Sequence, residues 1–121
     1  MSVTLTISSG VLVVENFVPW PNVQSLTAGL SSAPSQITRG GPWTIVSVTG
    51  SGDTVQLPAS AEVGDLFEVY DGDGAKPNGR NVILPSTGER IGTGVGSAGE
   101  ALIPRILRKL SSTRWGEVDG E

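Results

Sequence analysis

Trp43-Thr44-Ile45-Val46-Ser47-Val48, halted at Gly50-Ser51-Gly52-Asp53 and resumed as Thr54-Val55-Gln56-Leu57, decides the fold class. β-branched residues dominate the first run, and the second alternates polar and apolar positions before Pro58. A period of two belongs to a half-buried strand, and the glycine-bearing break between the runs is a turn. Downstream, Gly64-Asp65 opens Leu66-Phe67-Glu68-Val69-Tyr70, which puts Phe67 and Val69 on one face and Leu66, Glu68 and Tyr70 on the other. Asp71-Gly72-Asp73-Gly74 and Pro77-Asn78-Gly79 then turn the chain into Asn81-Val82-Ile83-Leu84-Pro85. Upstream, Val3, Leu5 and Ile7 alternate with Thr4, Thr6 and Ser8; Ser9-Gly10 interrupts, and Val11-Leu12-Val13-Val14 follows as the second strand of a hairpin. The reading is all-β: a compact antiparallel sandwich or barrel-like module with an extended Pro/Ser/Gly-rich N-terminal arm or loop.

That arm is read from Pro19 to Pro42. Pro19-Trp20-Pro21, Ser31-Ser32-Ala33-Pro34-Ser35 and Gly40-Gly41-Pro42 carry turn chemistry with little periodicity, and Leu26 to Leu30 fits a short helical turn. The predicted organisation is therefore a hairpin plus arm over residues 1–42 and a β-module over 43–121, forming one structural unit. Ala101 to Leu110 admits two readings. Ile103, Ile106, Leu107 and Leu110 fit a helical face, while a strand would pair with Thr113-Arg114-Trp115-Gly116-Glu117-Val118. The strand is favoured, because every other element is β and Trp115 and Val118 need a partner.

Composition excludes much chemistry. A chain of 121 residues holds one domain, and 17 Gly with 8 Pro suit short strands and many turns. There is no Cys and no His, so disulfides, thiolate nucleophiles, sulfur or imidazole metal sites and the usual neutral-pH general base are all missing. The net charge of −4 argues against nucleic-acid binding, although Arg105, Arg108, Lys109 and Arg114 concentrate positive charge late in the chain. No signal peptide and no run of transmembrane length is visible, which predicts no membrane partner and a protein made and kept soluble in a cytoplasm.

The motifs that invite a chemical reading lack their contexts. Gly94-Val95-Gly96-Ser97-Ala98-Gly99 matches the dinucleotide fingerprint, but 22 residues remain after it and Pro104 falls early in the required helix. Asp71-Gly72-Asp73-Gly74 starts like a calcium loop, yet Ala75, Lys76 and Val82 stand where Asp or Asn, Gly and Glu are needed. Glu62, Asp65, Glu68, Asp71 and Asp73 crowd one region without the aromatic platforms of a sugar-cleaving site. The expectation is no catalytic residue, no metal and no cofactor. Trp20 stands apart: Pro19 and Pro21 fix an extended backbone around it, so the indole is either a rigid knob for a partner or buried against its own domain. Pro19, Trp20 and Pro21 are the candidate partner contacts.

Gly52-Asp53-Thr54-Val55-Gln56-Leu57-Pro58-Ala59-Ser60-Ala61-Glu62-Val63-Gly64-Asp65-Leu66-Phe67-Glu68-Val69-Tyr70-Asp71 resembles a pattern of small phage virion proteins and of phage tail-fibre segments. The resemblance continues through Asn81-Val82-Ile83-Leu84-Pro85, a Gly-rich turn over Gly88 to Gly99 and a closing Thr113-Arg114-Trp115. It covers about the last two-thirds of the chain; Ser2 to Pro42 has no counterpart. What the resemblance implies is a homotrimer of β-modules displayed on a phage particle and assembled in the host cytoplasm. A short chain starting at its own Met1 favours a capsid decoration (cement) protein that meets the major capsid protein. The alternative is a tail-fibre or tail-tip adhesin module that binds a host receptor or glycan, with an enzyme acting on surface polysaccharide a distant third.

Overall fold

The fold was obtained as a computed structural model, and the structure describes residues 4–8, 10–15, 22–92 and 99–118. Among the described residues twelve strands follow one another: β1 Thr4–Ser8, β2 Val11–Glu15, β3 Asn22–Thr27, β4 Ser35–Gln36, β5 Trp43–Thr49, β6 Thr54–Gln56, β7 Leu66–Asp71, β8 Asn81–Ile83, β9 Arg90–Ile91, β10 Glu100–Leu102, β11 Arg105–Lys109 and β12 Arg114–Glu117. There is no helix among the described residues, so the all-β expectation holds. Leu26 to Leu30 is strand and β-bridge rather than a helical turn. Arg105–Lys109 is strand rather than helix, paired with β7 on one side and β12 on the other.

The strand directions differ from the antiparallel expectation. β3, β5 and β7 run parallel in a sheet ordered β3-β5-β7-β11-β12-β9, while β4, β6 and β8 run parallel in a second sheet ordered β10-β8-β6-β4. The chain crosses from one sheet to the other at each step, winding three coils. Asn22 pairs with Thr44 and Trp43 with Leu66, so one coil takes 22 or 23 residues. This is the geometry of a short β-solenoid, in which each coil buries its apolar face only by stacking on the next. The third coil is closed by antiparallel returns, β10 on β8 and β11 on β7. The arm is also corrected over its described part: Asn22–Thr27 and Ser35–Gln36 are the first coil, and the turn chemistry is confined to the corners between them.

Period-two burial builds the core between the sheets. Val46 and Val48 of β5, Phe67 and Val69 of β7, Leu107 of β11 and Trp115 of β12 are buried together with Val55, Val82, Ile37, Leu57 and Leu84. Phe67 and Trp115 meet with ring centroids 5.7 Å apart and planes inclined at 59°, a tilted contact that favours the ring quadrupoles. Coil-to-coil approach is tight enough to demand glycine at Gly52. A Cβ there would stand 2.3 Å from the Ala28 carbonyl oxygen and 2.4 Å from that of Gly29. The N-terminal hairpin matches its expectation: Ser8 pairs with Val11 and Ile7 with Leu12, and Gly10 turns with φ 79°.

Candidate interaction surface

Of the five crowded acids, Asp65, Glu68 and Asp73 bond groups of the preceding coil, Asp71 bonds Arg80, and Glu62 is exposed, 3.9 Å from Arg39. Arg80 is buried, and its guanidinium donates to the carbonyls of Gly52 and Val48 at 3.2 and 3.3 Å and to that of Gly50. The same group binds Asp71, and it lies 2.9 Å from Asp73. The Asp-Gly turn thus meets a cation supplied by the chain itself. Hydrogen bonds from the Ala75 and Gly50 amides and from Arg80 hold the Asp73 carboxyl down at about 2.

Asp65 receives a fork of two bonds from Arg39 and a third from the Glu62 amide at 2.8 Å. Arg39 is the main reason its carboxyl titrates below the usual range, against the opposing effect of burial. Burial pushes the Glu89 carboxyl up, but bonds from Trp115 and Ser86 and the charge of Lys109 outweigh it, leaving the group below its ordinary value. Trp115 Nε1 lies 2.8 Å and Lys109 Nζ 3.3 Å from Glu89 Oε1. Among the described residues no buried side-chain polar atom lacks a partner, and no cluster of His, Cys, Asp or Glu could hold a metal. An open groove of about 420 Å³ is lined by Gln56, Leu84, Ser86, Glu89, Arg90 and Glu100, among others, and by none of the five crowded acids.

The dinucleotide fingerprint meets a strand instead of a helix, since β10 follows Gly99 directly; residues 93–98 lie outside the described residues. Pro19, Trp20 and Pro21 also lie outside them. No helix among the described residues is long and apolar enough to cross a membrane.

What the structure adds is the outer face of the six-stranded sheet. Its inward positions are Thr44, Val46, Val48, Phe67, Val69, Leu107 and Trp115, so the alternate positions face out. Cross-strand register sets these in rows. Val23 lies beside Ile45, Ile45 beside Glu68 and Glu68 beside Ile106, while the Val118 amide bonds the Ile106 carbonyl at 3.0 Å. In the next row Trp43 pairs with Leu66, Leu66 with Arg108 and Arg108 with Gly116, against which Leu110 packs. An antiparallel or mixed sheet with a solvated face would carry polar residues at these positions. Here they are largely apolar, and the central carboxylate of Glu68 is engaged by Trp43 Nε1 and the Tyr70 hydroxyl.

The face therefore combines a broad apolar stripe with Trp, Tyr and Arg, the residue types that anchor protein interfaces. Its signal was present in the sequence as apolar residues at both phases of the alternation, Ile45 with Val46 and Leu66 with Phe67. The opposite sheet presents a mixed exterior, where Leu102 is exposed, Gln36 donates to Gln56 across parallel strands and Gln56 donates to the Leu84 carbonyl at 3.1 Å. Compared with protein-family models, curated proteins and solved structures, the chain has no match.

Proposed function

We propose that this chain is a non-catalytic structural module of a phage virion. In this reading it is a capsid decoration protein that trimerises on the head surface, touches the major capsid protein and stabilises the shell. The observation that carries the proposal is the outer face of the six-stranded sheet, where Trp43, Ile45, Leu66 and Ile106 take positions a solvated sheet would give to polar residues. That Asp65, Glu68 and Asp73 each bond a group of the preceding coil supports a scaffold over an enzyme, and the resemblance from Gly52 onward supports the virion setting. Several weak shell contacts per trimer multiply through linked valency, which is how a small module can hold a lattice.

The test is co-sedimentation with purified empty shells. Saturable decoration is expected for the full chain, with weaker decoration for Trp20→Ala and an unchanged fold by circular dichroism. Absence of any binding to shells overturns the head assignment. A second reading, a tail-fibre or tail-tip adhesin module, is favoured by the coil stacking itself. Coils extend by repetition along an axis, and β3 and β4 stand as the terminal strands of their sheets. Saturable binding to host cells without binding to shells selects that reading.

A further inference from the structure

Among the described residues the two larger sheets end in four edge strands, and only β3 is both long and uncharged. β4 and β9 have two residues each, and β10 has three and starts at Glu100; β3 has six, Asn22–Thr27, without a charge or a proline. Natural sheets blunt their edges by shortness, charge, proline or a bulge, because an open strand is a template for another chain. The Ala28 amide donates to the Thr49 carbonyl at 2.8 Å. In a parallel pair each residue aims its N–H and C=O to one side and the next residue aims them to the other. Gln24 and Leu26 therefore bond β5, while Val23, Ser25 and Thr27 turn their main-chain groups to the open edge, and all three are exposed. The Thr27 carbonyl accepts from the Ser35 hydroxyl at 2.6 Å and keeps a second lone pair. β3 is held in place from behind: Leu26 packs on the core, and Gln24 donates to the Thr38 carbonyl at 2.8 Å and accepts from the Thr38 amide at 3.1 Å.

This edge is complementary to itself. A two-fold axis at Ser25 sets Ser25 against Ser25 and Val23 against Thr27, so every outward amide meets an outward carbonyl, three from each copy. Moving the axis to Val23 or Thr27 sends Ser25 opposite a residue beyond the strand. The faces agree as well, since directly opposed residues share a face and Val23, Ser25 and Thr27 all lie on the outer one. Val23, 58% exposed, gains the Thr27 methyl group of the other copy. No like charges meet, as they would if β9 or β10 faced its own copy through Arg90 or Glu100.

We infer that β3 pairs antiparallel with the β3 of a second copy across a two-fold axis at Ser25, joining two six-stranded sheets into one. A two-fold contact is isologous and does not build a trimer; it links one trimer to the next. In that role it rests on the self-assembly proposed above. An edge about 20 Å long and about 10 Å thick offers about 200 Å² per copy, far below the about 800 Å² per partner of a stable complex. Pairing is therefore weak in dilute solution and fills where neighbours are held side by side at effective concentrations of about millimolar.

The chain has no Cys, so one introduced thiol reports the register. Opposed residues of a hydrogen-bonded antiparallel pair have Cα atoms about 5.5 Å apart, within the about 4.4–6.8 Å that a disulfide spans. At Val23 the same axis holds the two copies' Cα atoms about 14 Å apart. The full chain carrying Ser25→Cys, Val23→Cys or Thr27→Cys, checked for fold by circular dichroism, is oxidised with glutathione disulfide at about millimolar protein. Non-reducing electrophoresis reads a covalent species of twice the 12.5 kDa chain mass. Ser25→Cys is expected to form it at least about tenfold faster than Val23→Cys, and an equimolar mixture of Val23→Cys with Thr27→Cys to match Ser25→Cys. Equal rates for Ser25→Cys and Val23→Cys, or no bridging, overturn the inference whatever the mass of the wild type. Register-specific bridging by a chain that is monomeric in dilute solution upholds the pairing and overturns the trimer.

Discussion

Replacing Arg80 with Ala tests whether buried polar clusters, rather than core size alone, hold the coils in register. The guanidinium joins the second coil to the third, through the Val48, Gly50 and Gly52 carbonyls on one side and Asp71 and Asp73 on the other. Removing one partner of a buried ion pair costs about 3–5 kcal/mol when the remaining charge stays dry. Here the Asp71 and Asp73 side chains keep 28% and 32% of their exposure, so water takes over part of their solvation. Val48 still accepts from the Gly72 amide at 2.6 Å, which lowers its share too. The carbonyls of Gly50 and Gly52 then lose the guanidinium donor, at about 1–3 kcal/mol for each that stays unsatisfied. The net expectation is a loss of about 3 kcal/mol, or about 10 °C in melting temperature for a domain of this size. Urea denaturation followed by tryptophan fluorescence measures it. Arg80→Lys is expected to recover only part, since an ammonium cannot span carbonyls in several directions as a planar fork does. A loss under about 1 kcal/mol for Arg80→Ala, or full recovery by Lys, would refute the reasoning.

Two further outcomes follow from the same geometry. Gly52→Ala forces a methyl group against the Ala28 and Gly29 carbonyls, so it is expected to destabilise by about 1–3 kcal/mol in the same denaturation assay, with Ser51→Ala neutral as a control. The acid limb of stability is set by carboxyls whose folded values are depressed: Asp73 to about 2, with Asp65 and Glu89 also lowered. Each contributes stability that is complete above its unfolded value near 4 and is lost as pH falls toward its folded value. With no His in the chain, thermal scans are expected to be flat between about pH 5 and 8 and to decline below about pH 4.

The strands were legible in the sequence because period two is strong wherever one side of a strand faces the core. Val46, Val48, Phe67 and Val69 announce themselves in this way, and Trp115 with Leu107 confirms the strand reading of the C-terminal segment. Strand direction was not legible. Alternation is the same in parallel and antiparallel pairs, and the two-residue strand Ser35–Gln36 has no period to detect, so the first coil read as an arm. Arg80 was hidden for another reason. Its partners are mostly carbonyls of Val48, Gly50 and Gly52, some 30 residues away, and backbone acceptors leave no mark in side-chain sequence. The outer face was half visible, since apolar residues at both phases of the alternation argue for a sheet covered on both sides.

The central claim, a structural module that works by self-assembly, stands or falls on the solution mass of the full chain. Sedimentation equilibrium across micromolar concentrations is expected to give three times the 12.5 kDa chain mass. A strict monomer at every concentration would contradict the account.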